Sequence, residues 1–286
     1  MPSTATPRPV SAIPSALSDW DAIADRLGGE HLIAFLDFDG TLSPLVDEPA
    51  DAVLQAGAAD ALRVLTRRAT VAVVSGRGAD DVRDRVGLPG VWVAGSHGFE
   101  IVAPTGERHD HPEVGPAAEA LDAAAHELEE EIGQIPGVRL ERKHLGLTVH
   151  DRMVSDGDLA SVRRAAQSAG DRHDALRITH GKRVIELRPD VDWDKGAAVQ
   201  WLRRRLNPIA PQAAAVYIGD DTTDEDAFER LGPADVTVVV AAGDAPERAS
   251  VAEWSVTDPT EVCDLLGRLA TLTPASHTPE PPTDGP

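Results

Sequence analysis

The sequence predicts a layered α/β fold, a parallel-sheet core interrupted by an inserted α+β unit. Three observations predict it. Short apolar runs recur at His31–Leu36, Val71–Val74 and Ala214–Ile218, and bounded runs of this kind suit strands buried on both faces of a parallel sheet. Each run ends in acidic or hydroxyl side chains, and the carboxyl ends of such strands are where α/β sheets place their ligand crevice. Between the second run and Asp194-Lys195-Gly196 lies far more chain than one strand–helix unit needs, and its patterning changes.

The first run leads straight into Asp37-Phe38-Asp39-Gly40-Thr41. Period-two alternation turns Asp37 and Asp39 to one side and Phe38 into packing, while Gly40 allows a sharp turn. Such a pair has two readings. It caps a turn, or it performs chemistry on phosphate: one carboxylate attacks phosphorus, and the other protonates the departing alkoxide and later activates water. Two anions facing a phosphate call for a hard cation with oxygen ligands, most naturally Mg²⁺.

The second run ends in Ser75-Gly76-Arg77, where a hydroxyl and loop amides meet phosphate oxygens or Ser75 merely caps a helix. The third ends in Gly219-Asp220-Asp221-Thr222-Thr223-Asp224-Glu225-Asp226. Asp220 and Asp221 fall at the strand tip, and acids from about Asp224 onward fit the start of a helix, whose dipole favours negative charge. Asp194-Lys195-Gly196 opens a helix over Ala197 to Leu206, which brings Lys195 to bridge a phosphate and Asp37 or leaves it solvated.

Taken together and in this order, the four pieces resemble the haloacid dehalogenase (HAD) superfamily of phosphatases, which implies a Rossmann-like core. By that resemblance Asp37 is the nucleophile, Asp39 the general acid and base, Ser75 and Lys195 phosphate ligands, and Asp220 the direct Mg²⁺ ligand. Asp221 and Asp224 support the metal, and the Asp39 backbone carbonyl touches it.

The inserted stretch reads as a cap domain over the crevice. After a strand at Val91 to Ala94 and a polar turn around Pro104 to Gly106, apolar residues Ala118, Leu121, Ala125, Leu128 and Ile132 recur at helical spacing. Strands at Val138 to Lys143 and Leu145 to His150, a helix at Asp156 to Ala169, and strands at Leu176 to Thr179 and Arg183 to Leu187 complete an α+β layer. The expected division is core at 15–105 and 190–272, cap at 106–189. Its charged residues are either a solvated sheet face or contacts for a polyhydroxylated sugar, whose hydroxyls both donate and accept.

The motifs Gly95-x-His97-Gly98-x-Glu100, Glu141-x-Lys143 with His150 and Arg152, Gly181-Lys182 with Glu186, Arg188 and Pro189, and Gly219-Asp220-Asp221 with Asp224 and Glu225 are similar to those of the trehalose-6-phosphate phosphatase family. That resemblance spans His31 to about Leu272. It implies that Glu141, Lys143, His150, Arg152, Lys182 and Glu186 face the sugar, that His97, Gly98 and Glu100 form the core side of the pocket, and that Gly76 and Arg77 lie at the phosphate. The chain departs from the family pattern at Asp151, where a Tyr is usual, and at Gly146, where a Ser is usual. An acid in place of an aromatic suits an amine-bearing sugar, so a trehalose-like aminocyclitol phosphate stands as the alternative substrate. Another capped sugar phosphatase and a noncatalytic sugar-phosphate sensor are further alternatives.

Composition bounds the rest. The 286 residues carry a formal net charge of −21 and are 42% hydrophobic, enough for a sizeable core and against nucleic acid or anionic membranes as partners. Cys263 is the single cysteine, so no intrachain disulfide forms, and it reads as a small buried residue of the C-terminal helix. No apolar run reaches membrane-spanning length, and the Pro-rich start lacks a signal peptide's apolar stretch. The expectation is a cytoplasmic enzyme acting on a small-molecule sugar phosphate, its oligomeric state left open with a monomer allowed, and with disordered ends at 1–14 and 273–286.

Overall fold

The computed structural model describes residues 6–28, 31–181, 183–208, 210, 213–241 and 247–272, with the side chain of Lys143 excepted. The chain divides into two compact units, Met1–His109 with Trp193–Pro286, and Asp110–Asp192. The joins fall a few residues beyond the expected 106–189.

The first unit begins with β1 (Arg8–Pro9), α1 (Trp20–Leu27), β2 (Leu32–Leu36), α2 (Ala58–Leu65), β3 (Thr70–Val74), α3 (Ala79–Val86), β4 (Val91–Gly95) and β5 (Glu100–Val102). The second unit consists of α4 (Val114–Ile132), β6 (Arg139–Lys143), β7 (Gly146–His150), α5 (Asp156–Asp171), β8 (Leu176–Gly181) and β9 (Val184–Pro189). The chain then returns to the first unit with α6 (Lys195–Leu206), β10 (Ala214–Gly219), α7 (Thr222–Arg230), β11 (Val236–Val240), β12 (Ala249–Ser250), β13 (Trp254–Val256) and α8 (Pro259–Leu272).

The first unit's main sheet has seven strands in the order β13-β11-β10-β2-β3-β4-β5. Its pairs are parallel except that β5 returns antiparallel along β4. From β2 the chain builds outward on one side through β3 and β4, then comes back to β10 on the other side. The tips of β2 and β10 therefore flank the point where strand order reverses, the place at which such sheets bind ligands.

Alternation along the strands makes two cores. Leu32, Ala34, Leu36 and Phe38 pack with α1, α2, α3 and α8 on one face, whereas Ile33, Phe35, Ala215 and Tyr217 pack with α6 and α7 on the other. This is why the strands read as continuous apolar runs: neither face meets water. Asp37 follows the parity of Ile33 and Phe35, which turns it toward α6 and α7, and Phe38 is buried in the opposite core.

The second unit is a four-stranded antiparallel sheet, β6-β7-β9-β8. Leu147, Val149, Ile185 and Leu187 pack against Leu121, Leu128, Val162 and Ala166 of α4 and α5. The other face is polar. The register places Glu141 opposite Thr148, Thr148 opposite Glu186, and Glu186 opposite Thr179, a row running across all four strands.

The expected disorder of residues 1–14 is corrected over residues 8–14. Arg8 and Pro9 pair with Ser250 and Ala249, Val10 N donates to Arg248 O at 2.9 Å, and Val10 and Ile13 are buried. Proline reads as a breaker, but on a two-residue edge strand its missing N–H costs no ladder bond. Residues 1–5 and the expected disordered tail at 273–286 lie outside the described residues. No helix among the described residues is long and apolar enough to cross a membrane.

Candidate active site

At the tip of β2 the Asp37 amide donates to Ile218 O at 2.9 Å, carrying the pairing with β10 one residue past the strand. Gly40 then turns the chain with φ +76°, and a Cβ there would collide with the Asp220 carboxylate. Glycine is thus required twice over, for the left-handed backbone and for the approach of β10's first acid.

Asp37 and Lys195 are 4% and 3% exposed. Lys195 Nζ donates to Asp37 Oδ1 and to Asp224 Oδ1, each at 2.8 Å. Lys195 is delivered by the first turn of α6, where Asp194 caps the helix by accepting from Ala197 N at 2.6 Å. The alternative of a solvated lysine is excluded by its burial. Asp224 also accepts from the Tyr217 hydroxyl at 2.7 Å on Oδ1 and from Asp221 N at 2.9 Å on Oδ2. Asp221 is the exposed N-cap of α7, and its Oδ1 accepts from Thr222 N at 2.6 Å. The helix therefore begins two residues earlier than the sequence implied, with Asp221 and Asp224 closing a capping box.

Burial pushes the Asp37 carboxyl well above the ordinary carboxylate range, Lys195 draws it back, and Asp224 and Asp220 push it up again. Burial works against the charge of Lys195, yet Asp37 and Asp224 outweigh it and raise its pKa, so the ammonium stays protonated. The Asp220 carboxyl is pushed up to about 7, first by burial and then by Asp224. One lysine does not balance this many carboxylates.

Ligand oxygens of Asp37, Asp220 and Asp224 all lie within 4.8 Å of one another. Asp220 Oδ1 is buried with no hydrogen-bond partner among the described residues. An orphaned carboxylate oxygen inside a surplus of negative charge fits a hard divalent cation. Asp224 Oδ1 takes both Lys195 and Tyr217 and its Oδ2 takes the Asp221 amide, so of the three carboxylates Asp37 and Asp220 have the less committed oxygens. This bears on the expected metal residues Asp221 and Asp224: their contacts here are a helix cap and a brace for Lys195.

Ser75 is buried, its amide donates to Ala94 O at 2.9 Å, and its Oγ accepts from Arg77 N at 3.2 Å. It does not cap α3, which starts at Ala79 after an N-cap at Gly78. Asp39 is turned to Arg77, whose Nε and Nη2 donate to Asp39 Oδ2 and Oδ1, each at 2.7 Å. Beside this loop Ser96 and His97 hold φ of 51° and 58°, a strained pair fixed by Ser96 N to Arg77 O at 2.6 Å and His97 N to Ser75 O at 2.8 Å. The turn lays the His97 ring on Gly76, where a Cβ would stand 2.9 Å from the imidazole. Glu100 is buried and supports the turn: it accepts from Ser96 Oγ at 2.7 Å, from Ala79 N at 3.4 Å and from Arg108 Nη2 at 2.9 Å.

Within the second unit, His150 Nε2 lies 2.8 Å from Glu141 Oε2, and Glu186 pairs with Arg188. Arg152 is exposed, and Lys182 lies outside the described residues. Asp151 is fully buried. Its Oδ2 accepts from Arg163 Nε at 2.9 Å, and its Oδ1 lies 3.1 Å from Arg183 Nε, a charge contact without the alignment of a hydrogen bond.

A model of the trehalose-phosphatase family matches residues 35–260. The trehalose-phosphate phosphatase of Mycobacterium avium (strain 104) is 45% identical over 267 residues, 92% of this chain and 68% of its own. This chain belongs to the trehalose-phosphatase family. Among solved structures, the trehalose-6-phosphate phosphatase of Aspergillus fumigatus superposes with TM-score 0.66 at 22% identity, covering 91% of this chain and 99% of its own. A haloacid dehalogenase-like hydrolase from Bacteroides thetaiotaomicron superposes with TM-score 0.58 at 15% identity, covering 84% and 100%. These likenesses show the fold alone, and it is the α/β architecture expected from the sequence.

One residue of this buried cluster was not legible in the sequence. Tyr217 sits inside an apolar strand, where an aromatic reads as core, and burial with the charge of Asp224 raises its hydroxyl pKa well above the ordinary range. Its position three residues before Asp220, near the acid-bearing end of the strand, was the available signal.

Proposed function

We propose that this chain hydrolyses trehalose 6-phosphate to trehalose and inorganic phosphate through an aspartyl-phosphate intermediate. The observation that supports it most directly is the buried Asp37–Lys195 pair at the strand-order reversal, in a member of the trehalose-phosphatase family. The Asp37 carboxylate attacks phosphorus as the bond to the sugar oxygen breaks, and Asp39 gives its proton to the departing alkoxide. Asp39 then takes a proton from water, whose oxygen attacks the same phosphorus and frees Asp37 and phosphate. Lys195 keeps Asp37 oriented and offsets charge on the phosphoryl group, and the Ser75 and Gly76 loop receives its oxygens. Asp37 and Asp220 with the Asp39 carbonyl would hold Mg²⁺, which would supply charge neutralisation at the transferring group.

Glu141, Lys143, His150, Arg152, Lys182 and Glu186 form the sugar-recognising set in this reading, Glu141 and Glu186 lying in one cross-strand row. His97 and Gly98 shape the core side, and Glu100 acts by holding their turn. A cytoplasmic setting accords with the single cysteine. The burial of Asp151 between two arginines favours trehalose 6-phosphate over an amine-bearing analogue, since that carboxylate is already matched.

The test is phosphate release with and without Mg²⁺ from trehalose 6-phosphate, glucose 6-phosphate, sucrose 6-phosphate and an aminocyclitol pseudodisaccharide phosphate, with Asp37→Asn as the blank. Mg²⁺-dependent turnover of trehalose 6-phosphate above the others, absent in the blank, is the expected result. Preference for the aminocyclitol compound would overturn the substrate, and no turnover of any of them would overturn the phosphatase reading.

A further inference from the structure

This inference rests on the phosphatase reading and concerns Arg77. A guanidinium that follows a phosphate-binding loop is ordinarily taken as an anion ligand. Here each of its three nitrogens already donates to a carboxylate of the chain. Nε and Nη2 fork onto both oxygens of Asp39 at 2.7 Å, and Nη1 donates to Asp81 Oδ2 at 3.1 Å. The guanidinium lies 5.7 Å from the Phe38 ring centroid, and its side chain is 13% exposed.

With its fork on Asp39 and its third nitrogen on Asp81, the Arg77 guanidinium is neutralised by the chain's own carboxylates and is aimed at them. The arrangement is also anchored from behind. Asp81 Oδ1 accepts from Arg85 Nε at 2.8 Å, and Arg85 donates to the carbonyls of Ala50 and Ala52. A rigid two-pronged contact of this kind fixes the plane and direction of a carboxylate. Each Asp39 oxygen keeps a second lone pair, where the transferred proton resides.

We propose that Arg77 is a positioning residue that aims the Asp39 carboxylate and acts on the reaction through it, and is not a phosphate ligand. The two roles separate by leaving group. A sugar alkoxide needs the proton of Asp39 to depart, whereas p-nitrophenolate leaves without one, so the first turnover of p-nitrophenyl phosphate depends on phosphate binding and Asp37 but not on Asp39.

The experiment compares wild type, Arg77→Lys and Arg77→Gln, each with and without Asp39→Asn, by rapid mixing and at steady state. Arg77→Lys keeps the charge and loses the fork; Arg77→Gln serves if the lysine variant does not fold. Expected is a first-turnover release of p-nitrophenolate close to wild type, a fall of roughly 100-fold in trehalose 6-phosphate turnover, unchanged inhibition by inorganic phosphate, and no added loss in the Asp39→Asn background. Equal slowing of both substrates with weakened phosphate inhibition would make Arg77 a phosphate ligand and overturn the proposal. A wild-type enzyme releasing phosphate from neither compound would instead overturn the phosphatase reading beneath it.

Discussion

The hydroxyl of Tyr217 donates to Asp224 Oδ1 at 2.7 Å, the same oxygen that receives Lys195 Nζ at 2.8 Å. Asp224 thus links a core aromatic to the lysine beside Asp37. Tyr217→Phe preserves the packing and deletes one donor. We expect a loss of about 1 kcal/mol in denaturant unfolding and a several-fold lower kcat with KM little changed, because Lys195 loses its fixed brace. Equal kcat in the two proteins would show that Asp224 needs only Lys195 and the Asp221 amide.

Asp220 holds a buried oxygen with no hydrogen-bond partner among the described residues. Replacing its carboxylate by the amide in Asp220→Asn keeps the shape and removes a charge. The Mg²⁺ concentration for half-maximal turnover is expected to rise roughly tenfold or more, and chelation is expected to stop wild-type turnover reversibly. An unchanged Mg²⁺ requirement would move the metal away from Asp220.

Asp151 is buried against Arg163 and Arg183, and Arg183 Nη2 also donates to the Asp151 carbonyl at 2.6 Å. Asp151→Asn leaves both arginines partly solvated, so the cost is expected near 2 kcal/mol, below that of a fully buried pair. Hydrogen exchange should quicken at residues 146–150 and 184–189, while the ratio of kcat/KM between trehalose 6-phosphate and the aminocyclitol analogue stays the same. A changed ratio would return Asp151 to the specificity determinants.

Asp258 caps α8 by accepting from Thr260 N at 2.7 Å and Glu261 N at 3.0 Å, and these backbone contacts hold its carboxyl below the ordinary range. A pKa lower in the folded chain than in the unfolded one means a contribution present above the unfolded value and lost as pH falls through the folded one. Stability should therefore decline from about pH 4 downward, and Asp258→Ala should cost about 1 kcal/mol at neutral pH while flattening that part of the pH profile. An identical acid limb in the variant would assign it to other carboxylates.

The order of motifs and the two-unit division were legible because apolar runs and helical spacing are local properties of the chain. Leu32–Leu36 reads as a doubly buried strand, and the pattern from Ala118 to Ile132 reads as an amphipathic helix, without knowledge of what either touches. The short β5 and the edge strand β1 carry too few residues for periodicity, and Pro9 reads as disorder until its edge position is seen.

The sequence by itself pointed to Asp37, Asp39, Ser75, Lys195 and Asp220 as candidate chemical residues, since strand ends and a helix start bring such side chains to one edge. Only the tertiary structure decided how their charges are shared: Asp224 braces Lys195, Asp221 caps a helix, Arg77 holds Asp39, and Asp151 is matched by two arginines. Partners across the site are separated by up to 158 residues, as between Lys195 and Asp37, and which donor meets which acceptor is fixed by packing rather than by spacing along the chain.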